Sequence, residues 1–280
     1  MSLPISALPA LPHAVQLLSI IVISLIGGAM NSVAGGGTLL TFPALVGLGI
    51  SPLIANATST CALWPASVTS IFGYRAELRG AQKWAFGFAI PSVIGGGFGA
   101  WLLLRTPASR FAEIVPWLVL GATGLFIVQP AVARWVARRR VARLGDASHG
   151  SPSDEVLTST LPSVPILLWQ TLVGVYTGYF GAGAGILMLA ALGFMGMSNI
   201  HRMNGLKNWG GLCMNAVAAI MFAFSGLVSW PIAAAMAVGS MSGGYLGSRG
   251  AQRVPRGVVR VVVILIGLCG GLWLLLHRTA

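Results

Sequence analysis

Charge is what this sequence has least of. No Asp, Glu, Lys or Arg occurs in residues 1–74, 84–104, 114–133, 156–201, 208–248 or 261–277. Only 8% of its 280 residues are charged, against 56% hydrophobic, and the mean hydropathy is +0.84. A soluble domain cannot hide that much apolar surface or stay dissolved on so few charges. A helix needs about 20 apolar residues to cross the hydrocarbon core of a bilayer. Several of the charge-free windows reach that length, and two can hold a pair of helices. The composition therefore predicts an all-α polytopic membrane protein.

Other scarcities narrow the function. The five acidic residues are Glu77, Glu113, Asp146, Asp154 and Glu155, and none lies mid-span. A proton relay through a buried carboxylate, common in pumps, has no candidate. The four histidines, His13, His149, His201 and His277, lie near segment ends or in a polar stretch. Cys61, Cys213 and Cys269 are odd in number and widely spaced, which suggests neither a disulfide framework nor a metal site. No triad or pair of carboxylates is present, so neither an intramembrane enzyme nor a cofactor is expected. Net charge is +12, which would ordinarily raise nucleic acid as a partner. Here the basic residues sit at the ends of apolar windows, where cytoplasmic loops collect Lys and Arg, and anionic headgroups attract them. The bilayer, not nucleic acid, is the expected partner. The N-terminus lacks the charged region of a signal peptide, so the first apolar segment is expected to be retained.

What the sequence does have is internal repetition. At an offset of 148 residues, Ala34, Gly35, Gly37 and Leu39 fall on Ala182, Gly183, Gly185 and Leu187. Asn56 falls on Asn204. Gly95, Gly96 and Gly99 fall on Gly243, Gly244 and Gly247, and Arg105 and Pro107 on Arg253 and Pro255. An Asn, an Arg-x-Pro and a Gly-Gly-x-x-Gly sharing one offset point to a duplication. The expected organisation is a first transmembrane repeat over 1–137, a basic and polar linker over 138–160 and a second repeat over 161–280. Each half holds five segments, near 14–33, 38–50, 53–73, 83–104 and 111–136, then near 164–181, 185–198, 200–225, 231–250 and 257–277. The second segment of each half is too short to cross alone and starts directly after a glycine cluster. The third is punctuated, as at Trp64-Pro65, which implies a kink.

Arg134, Arg138, Arg139, Arg140 and Arg143 place the linker in the cytoplasm. Arg75, Arg79 and Lys83 place the 74–83 loop beside it, as do Arg202 and Lys207 at the start of the third segment of the second half. Ser225–Trp230 and both termini are then periplasmic. The third segment of the first half would start outside and its counterpart inside. The halves are thus expected to be inverted repeats, an architecture in which transporters bind solute near the midplane where the repeats meet.

The glycine clusters carry the candidate chemistry. The first turn runs from Asn31 through Gly35, Gly36 and Gly37 to Thr38; the second runs from Gly178 through Gly183, Ala184 and Gly185. A half-helix starting at such a turn leaves its first N–H groups unpaired. Those donors, with the helix dipole, favour an anion, and glycine lets a ligand approach the backbone. Close helix packing is the competing reading. The ligand reading is preferred for the paired turns, and packing for Gly95-Gly96-x-x-Gly99 and Gly243-Gly244-x-x-Gly247. Asn56 and Asn204, near the starts of the third segments, serve either to donate to an anion or to tie down broken backbone. Ser59 lies beside Asn56, and Lys207 and Asn208 follow Asn204. Lys207 lies roughly 10 Å from its helix start and is expected to snorkel to the cytoplasm or gate rather than to ligate. Replacing Gly36 by a bulky residue is expected to abolish flux while leaving folding intact.

The run from Gly28 through Ala34-Gly35-Gly36-Gly37-Thr38-Leu39-Leu40 to Pro43, then Ala55-Asn56-Ala57-Thr58, resembles the sulfite exporter TauE/SafE permease family. Asn204-Gly205-Leu206-Lys207-Asn208, Gly226, Trp230 and Gly243-Gly244-Tyr245-Leu246-Gly247 are similar to its C-terminal repeat. The resemblance covers about residues 15–275 without the linker. It implies a permease for sulfite, an organosulfonate or a related small anion in the bacterial inner membrane. The second turn departs from a full glycine triplet, with Ala184 opposite Gly36. A small anionic solute is the expected cargo, with a carboxylate or another sulfur compound, or a non-transporting scaffold, as alternatives. A homodimer stays open.

Overall fold

The computed structural model describes residues 13–145, 154–197, 199–250 and 256–276. Among these there are twelve helices and no strand. The first half comprises α1 (His13–Ala34), α2 (Gly37–Gly47), α3 (Pro52–Gly73), α4 (Arg75–Leu78), α5 (Gln82–Arg105) and α6 (Ala108–Gly145). The second follows with α7 (Asp154–Ser159), α8 (Val164–Tyr179), α9 (Ala184–Phe194), α10 (Ile200–Phe224), α11 (Trp230–Gly250) and α12 (Arg256–Leu276). Residues 146–153 of the predicted linker, residue 198 of the predicted segment 185–198, residue 277 of the predicted segment 257–277 and both termini lie outside the described residues. Among the described residues, three stretches, Val15–Val33, Gln82–Arg105 and Ala108–Ala131, are long and apolar enough to cross a membrane.

Local chemistry sets the boundaries. Pro52 opens α3, where its missing N–H costs nothing. Asn199 caps α10 by accepting from the backbone N–H groups of His201 and Arg202 at 3.0 and 3.2 Å. Helices α2 and α9 have 11 residues each. At 1.5 Å per residue they reach about 16 Å, roughly half the hydrocarbon thickness. Helix α3 continues unbroken through Pro65.

Two short helices were not expected. Helix α4 lies in the 74–83 loop. Helix α7 lies inside the stretch read as linker, and α6 also runs into that stretch as far as Gly145. Asp154 and Glu155 sit in the first turn of α7, where the helix dipole favours them. The segment is docked on both halves: Trp84 Nε1 donates to Leu157 O at 3.1 Å and Thr158 Oγ1 to Gly80 O at 3.2 Å. Asp154 Oδ2 accepts from Asn199 N at 2.6 Å, and Glu155 lies 3.8 Å from Arg202.

The packing crosses between the halves. Helix α1 lies along α11 and α8 lies along α5; α3 also packs on α11, and α10 on α5. At the 148-residue offset each of these contacts maps onto the other. The Gly-Gly-x-x-Gly motifs are what bring the backbones together. Gly95 and Gly99 of α5 face the backbone of α8, and Gly243 and Gly247 of α11 face that of α1. A Cβ at Gly96 would stand 2.6 Å from Met214 O, and one at Gly244 2.5 Å from Ala66 O. Small residues allow this approach in a bilayer, where lipid tails offer no hydrophobic drive for helices to associate. Phe42, Phe126, Phe180 and Phe222 fill the interior around α2, while Leu18, Phe86, Ile90, Leu172 and Leu265 point outward.

Candidate functional site

Both short helices begin at turns that only glycine builds without strain. After α1, Gly35 takes φ +76° and donates to Met30 O and Asn31 O at 3.1 and 3.0 Å, closing the helix as a left-handed cap. Helix α2 starts two residues later. After α8, Gly181 and Gly183 both take φ +78°, and α9 starts at Ala184. The two turns touch. A Cβ at Gly35 would stand 2.7 Å from Gly185 Cα and 3.0 Å from its N. The helix starts donated by the two halves therefore meet in the interior.

A cavity of about 40 Å³ opens at this meeting point, lined by Asn31, Gly35, Gly181, Ala184 and Gly185 from the turns and their flanks. That is room for a few waters, or one solute of a few non-hydrogen atoms. Ser67 of α3, Thr177 of α8, Met188 of α9, and Lys207, Asn208, Gly211, Met214 and Asn215 of α10 complete the wall. Among the described residues no carboxylate lines it, and Lys207 is its one charged residue.

Lys207 does not snorkel. It is 3% exposed, and its Nζ donates to Ser32 O at 2.9 Å and Asn31 O at 3.4 Å. Asn208 Nδ2 donates to the same Ser32 carbonyl at 3.2 Å. The physical reason is twofold. Tyr74 and Leu78 lie against Gly205, and the α7 segment meets Arg202, so the first turns of α10 are covered. The last carbonyls of α1, at the negative end of its dipole, also receive a cation well.

Of the residues proposed from sequence, Asn31, Gly35, Ala184, Gly185, Lys207 and Asn208 are brought together around the cavity. Gly36, Gly37, Thr38, Asn56, Ser59, Gly183 and Asn204 are not among its lining residues. Gly36 faces the Phe126 ring, so a bulky side chain there disturbs packing as well as the turn, against the expectation of intact folding. A Cβ at Gly37 would stand 2.9 Å from Asn31 Cβ, and Gly183 lies beside Ala122. Thr38 is half-buried in the first turn of α2. Ser59 pairs with Thr41 at 2.5 Å. Asn56 Nδ2 donates to Tyr179 O at 3.0 Å, tying down the end of α8. Asn204 is buried with its Oδ1 unpaired.

The offset relates these ties. Tyr179 is the counterpart of Asn31, so each helix that leads into a glycine turn is held at its last carbonyls by the third segment of the other half. The counterparts of Lys207 and Asn208 are Ser59 and Thr60, whose hydroxyls go to Thr41 and to Asn56 O. Only the second half brings a charge. Ser67, Thr177 and Asn215 escaped the sequence reading. For Asn215 a signal exists: Lys207, Gly211 and Asn215 recur at i, i+4 and i+8, one face of a helix.

The sequence profile of the sulfite exporter TauE/SafE family matches residues 20–274. A probable membrane transporter protein, ORF9, of Sinorhizobium sp is 26% identical over 264 residues, covering 92% of each chain. The probable membrane transporter protein YfcA of Escherichia coli (strain K12) is 26% identical over 252 residues, 87% of this chain and 84% of its own. One from Haemophilus influenzae is 25% identical over 246 residues, 87% of this chain and 88% of its own. No solved structure matches. A helical bundle with apolar outer faces, a small polar cavity inside, and a profile match over nearly its whole length together mean that this chain belongs to the sulfite exporter TauE/SafE family of membrane transporters.

Proposed function

We propose that the protein carries a small anion, such as sulfite or an organosulfonate, bound where the two glycine turns meet. The observation that supports this best is the convergence of Gly35, Gly185 and buried Lys207 on one cavity whose wall holds no carboxylate among the described residues. Helix-start amides and an ammonium are donors to negative charge, and Asn31, Asn208 and Asn215 add amides of either polarity. Access alternates as one half rocks against the other, inverted half.

A ligand that binds only the folded state raises stability. In detergent, an anion of the right class at about 100 Kd adds about 2.7 kcal/mol, a rise of about 5 °C in Tm. The panel is sulfite, sulfate, methanesulfonate and acetate, followed by flux into proteoliposomes for whichever stabilises. A protein that no member stabilises, and that carries none, has another cargo or none.

In this reading the protein sits in a bacterial inner membrane, with the basic loops and α7 in the cytoplasm and both termini outside. A Ser225→Cys variant in a background without the native cysteines is then labelled by an impermeant maleimide in intact cells, and an Arg79→Cys variant only after lysis. The reverse pattern overturns the orientation.

A further inference from the structure

Lys207 is, among the described residues, the one basic side chain that is buried, and the reading above uses it only as a fixed charge. We propose that it is also the coupling group: each anion is carried together with one proton taken up on the Lys207 amine. The proposal rests on the anion reading and adds to it the co-transported ion.

The geometry at Nζ carries the argument. A neutral amine has two N–H donors and one lone pair, an ammonium three donors and no lone pair. Two carbonyls, Ser32 O and Asn31 O, accept from Nζ. They satisfy both donors of the neutral amine. Protonation adds a third donor and a full charge at a side chain that borders the cavity. Among the described residues, no carboxylate lies within ion-pair distance of Nζ.

The elements packed on α10 are α1, α3, α4, α5, α8 and α9. Helix α9 carries no ionisable side chain, α3 carries Cys61, and α8 carries Tyr176 and Tyr179. Tyr176 donates to Ala182 O and Tyr179 to Thr106 Oγ1. On α5, Lys83 and Arg105 stand at the two ends, and on α1 only His13, at the far end. Arg75 and Glu77 are on α4. Helix α10 itself adds His201, Arg202 and Cys213; Arg202 is turned to Glu155. What remains is the negative end of the α1 dipole, worth roughly half a charge. A buried ammonium there is undercompensated until an anion enters.

Anion and proton therefore favour each other's binding, and linkage makes the two effects equal. On loading, the amine takes a proton from water on one side and the anion pairs with the new N–H. On release to the other side both leave. For a monovalent anion such as methanesulfonate, the balance is one proton and one anion moved, with no net charge transferred.

The test is calorimetry with methanesulfonate, which stays ionised throughout, in buffers of unequal ionisation enthalpy from about pH 6 to about pH 9. Proton uptake is expected to rise with pH towards roughly one per anion bound. If methanesulfonate does not bind, sulfite replaces it, corrected for its own protonation. In proteoliposomes a methanesulfonate gradient acidifies the lumen, and clamping the membrane potential leaves the flux unchanged. Lys207→Arg keeps its charge at every pH in this range, so whatever anion it binds is bound with no proton uptake. Wild-type binding without proton uptake at any pH overturns the coupling and leaves the anion reading standing. No binding by any anion of the panel removes the anion reading, and the coupling with it.

Discussion

Lys207→Met is expected to lower affinity for the carried anion by between about a hundredfold and a few thousandfold, and to bring flux to background. The substitution keeps an unbranched side chain of similar length, so the cavity neither collapses nor opens. It deletes the one charge in the wall and the donors on Nζ. Leaving a buried charge without its partner costs about 3–5 kcal/mol, and each 1.4 kcal/mol is a factor of about ten. Stability of the empty protein should move little. Ser32 O keeps the Asn208 amide at 3.2 Å, and Asn31 O keeps the Gly35 N–H at 3.0 Å, so neither carbonyl is left bare. Each of the two lost hydrogen bonds costs about 1 kcal/mol, and the loss is offset by no longer holding a polar head in the interior. Melting in detergent and flux in proteoliposomes separate the two effects. A variant that melts normally and carries anion at the wild-type rate would show that the site is elsewhere.

The segments were legible because charge is excluded from lipid-facing helices, so the charge-free windows mark them directly. The half-helices were legible because Gly35 and Gly183 need left-handed backbone, and the sequence writes that need as glycine. The depth of Lys207 was not. Distance along a helix gives its height above the first turn, but whether water reaches it depends on what lies over that turn. Here α4 and α7 lie there, and both are short polar segments without the periodicity that announces a helix. Nor was it legible which way each glycine of the first turn faces. Gly35 meets the other turn, while Gly36 meets Phe126 and Gly37 meets Asn31; neighbours in sequence point to different neighbours in space. The polar ring was half visible. Asn31 and Asn208 flank recognisable motifs, whereas Ser67 and Thr177 resemble any hydroxyl that bonds its own helix, as Thr177 does to Val173 O.

Gly99→Leu is expected to stop the protein from accumulating in the membrane, whereas Gly121→Leu is expected to be tolerated. The residue type and the change are the same; the surroundings differ. At Gly99 an added Cβ would run into Val175 O and stand 2.9 Å from Tyr179 N, both backbone atoms of α8. Backbone cannot move aside as a side chain can. Helices α5 and α8 would have to separate along a contact that Gly95, Gly174 and Gly178 also build. The end of α8 would shift with them, and that end sets the second glycine turn. Overpacking in a tight core costs about 1–3 kcal/mol even when side chains can yield, and marginal stabilities of about 5–15 kcal/mol leave little margin for more. At Gly121 nothing lies within 4 Å and the residue is exposed, so the leucine meets lipid. There the loss of helix-weakening glycine stabilises by up to about 1 kcal/mol. The same contrast holds in the second half, where Gly243 faces Leu25 O and Ala29 N of α1. Gly243→Leu should fail as Gly99→Leu does. The measurement is the amount of monodisperse protein extracted from membranes at equal expression. Equal yields for Gly99→Leu and Gly121→Leu would mean that α5 and α8 do not approach as closely as described, and the position of the second turn against Gly35 would lose its support.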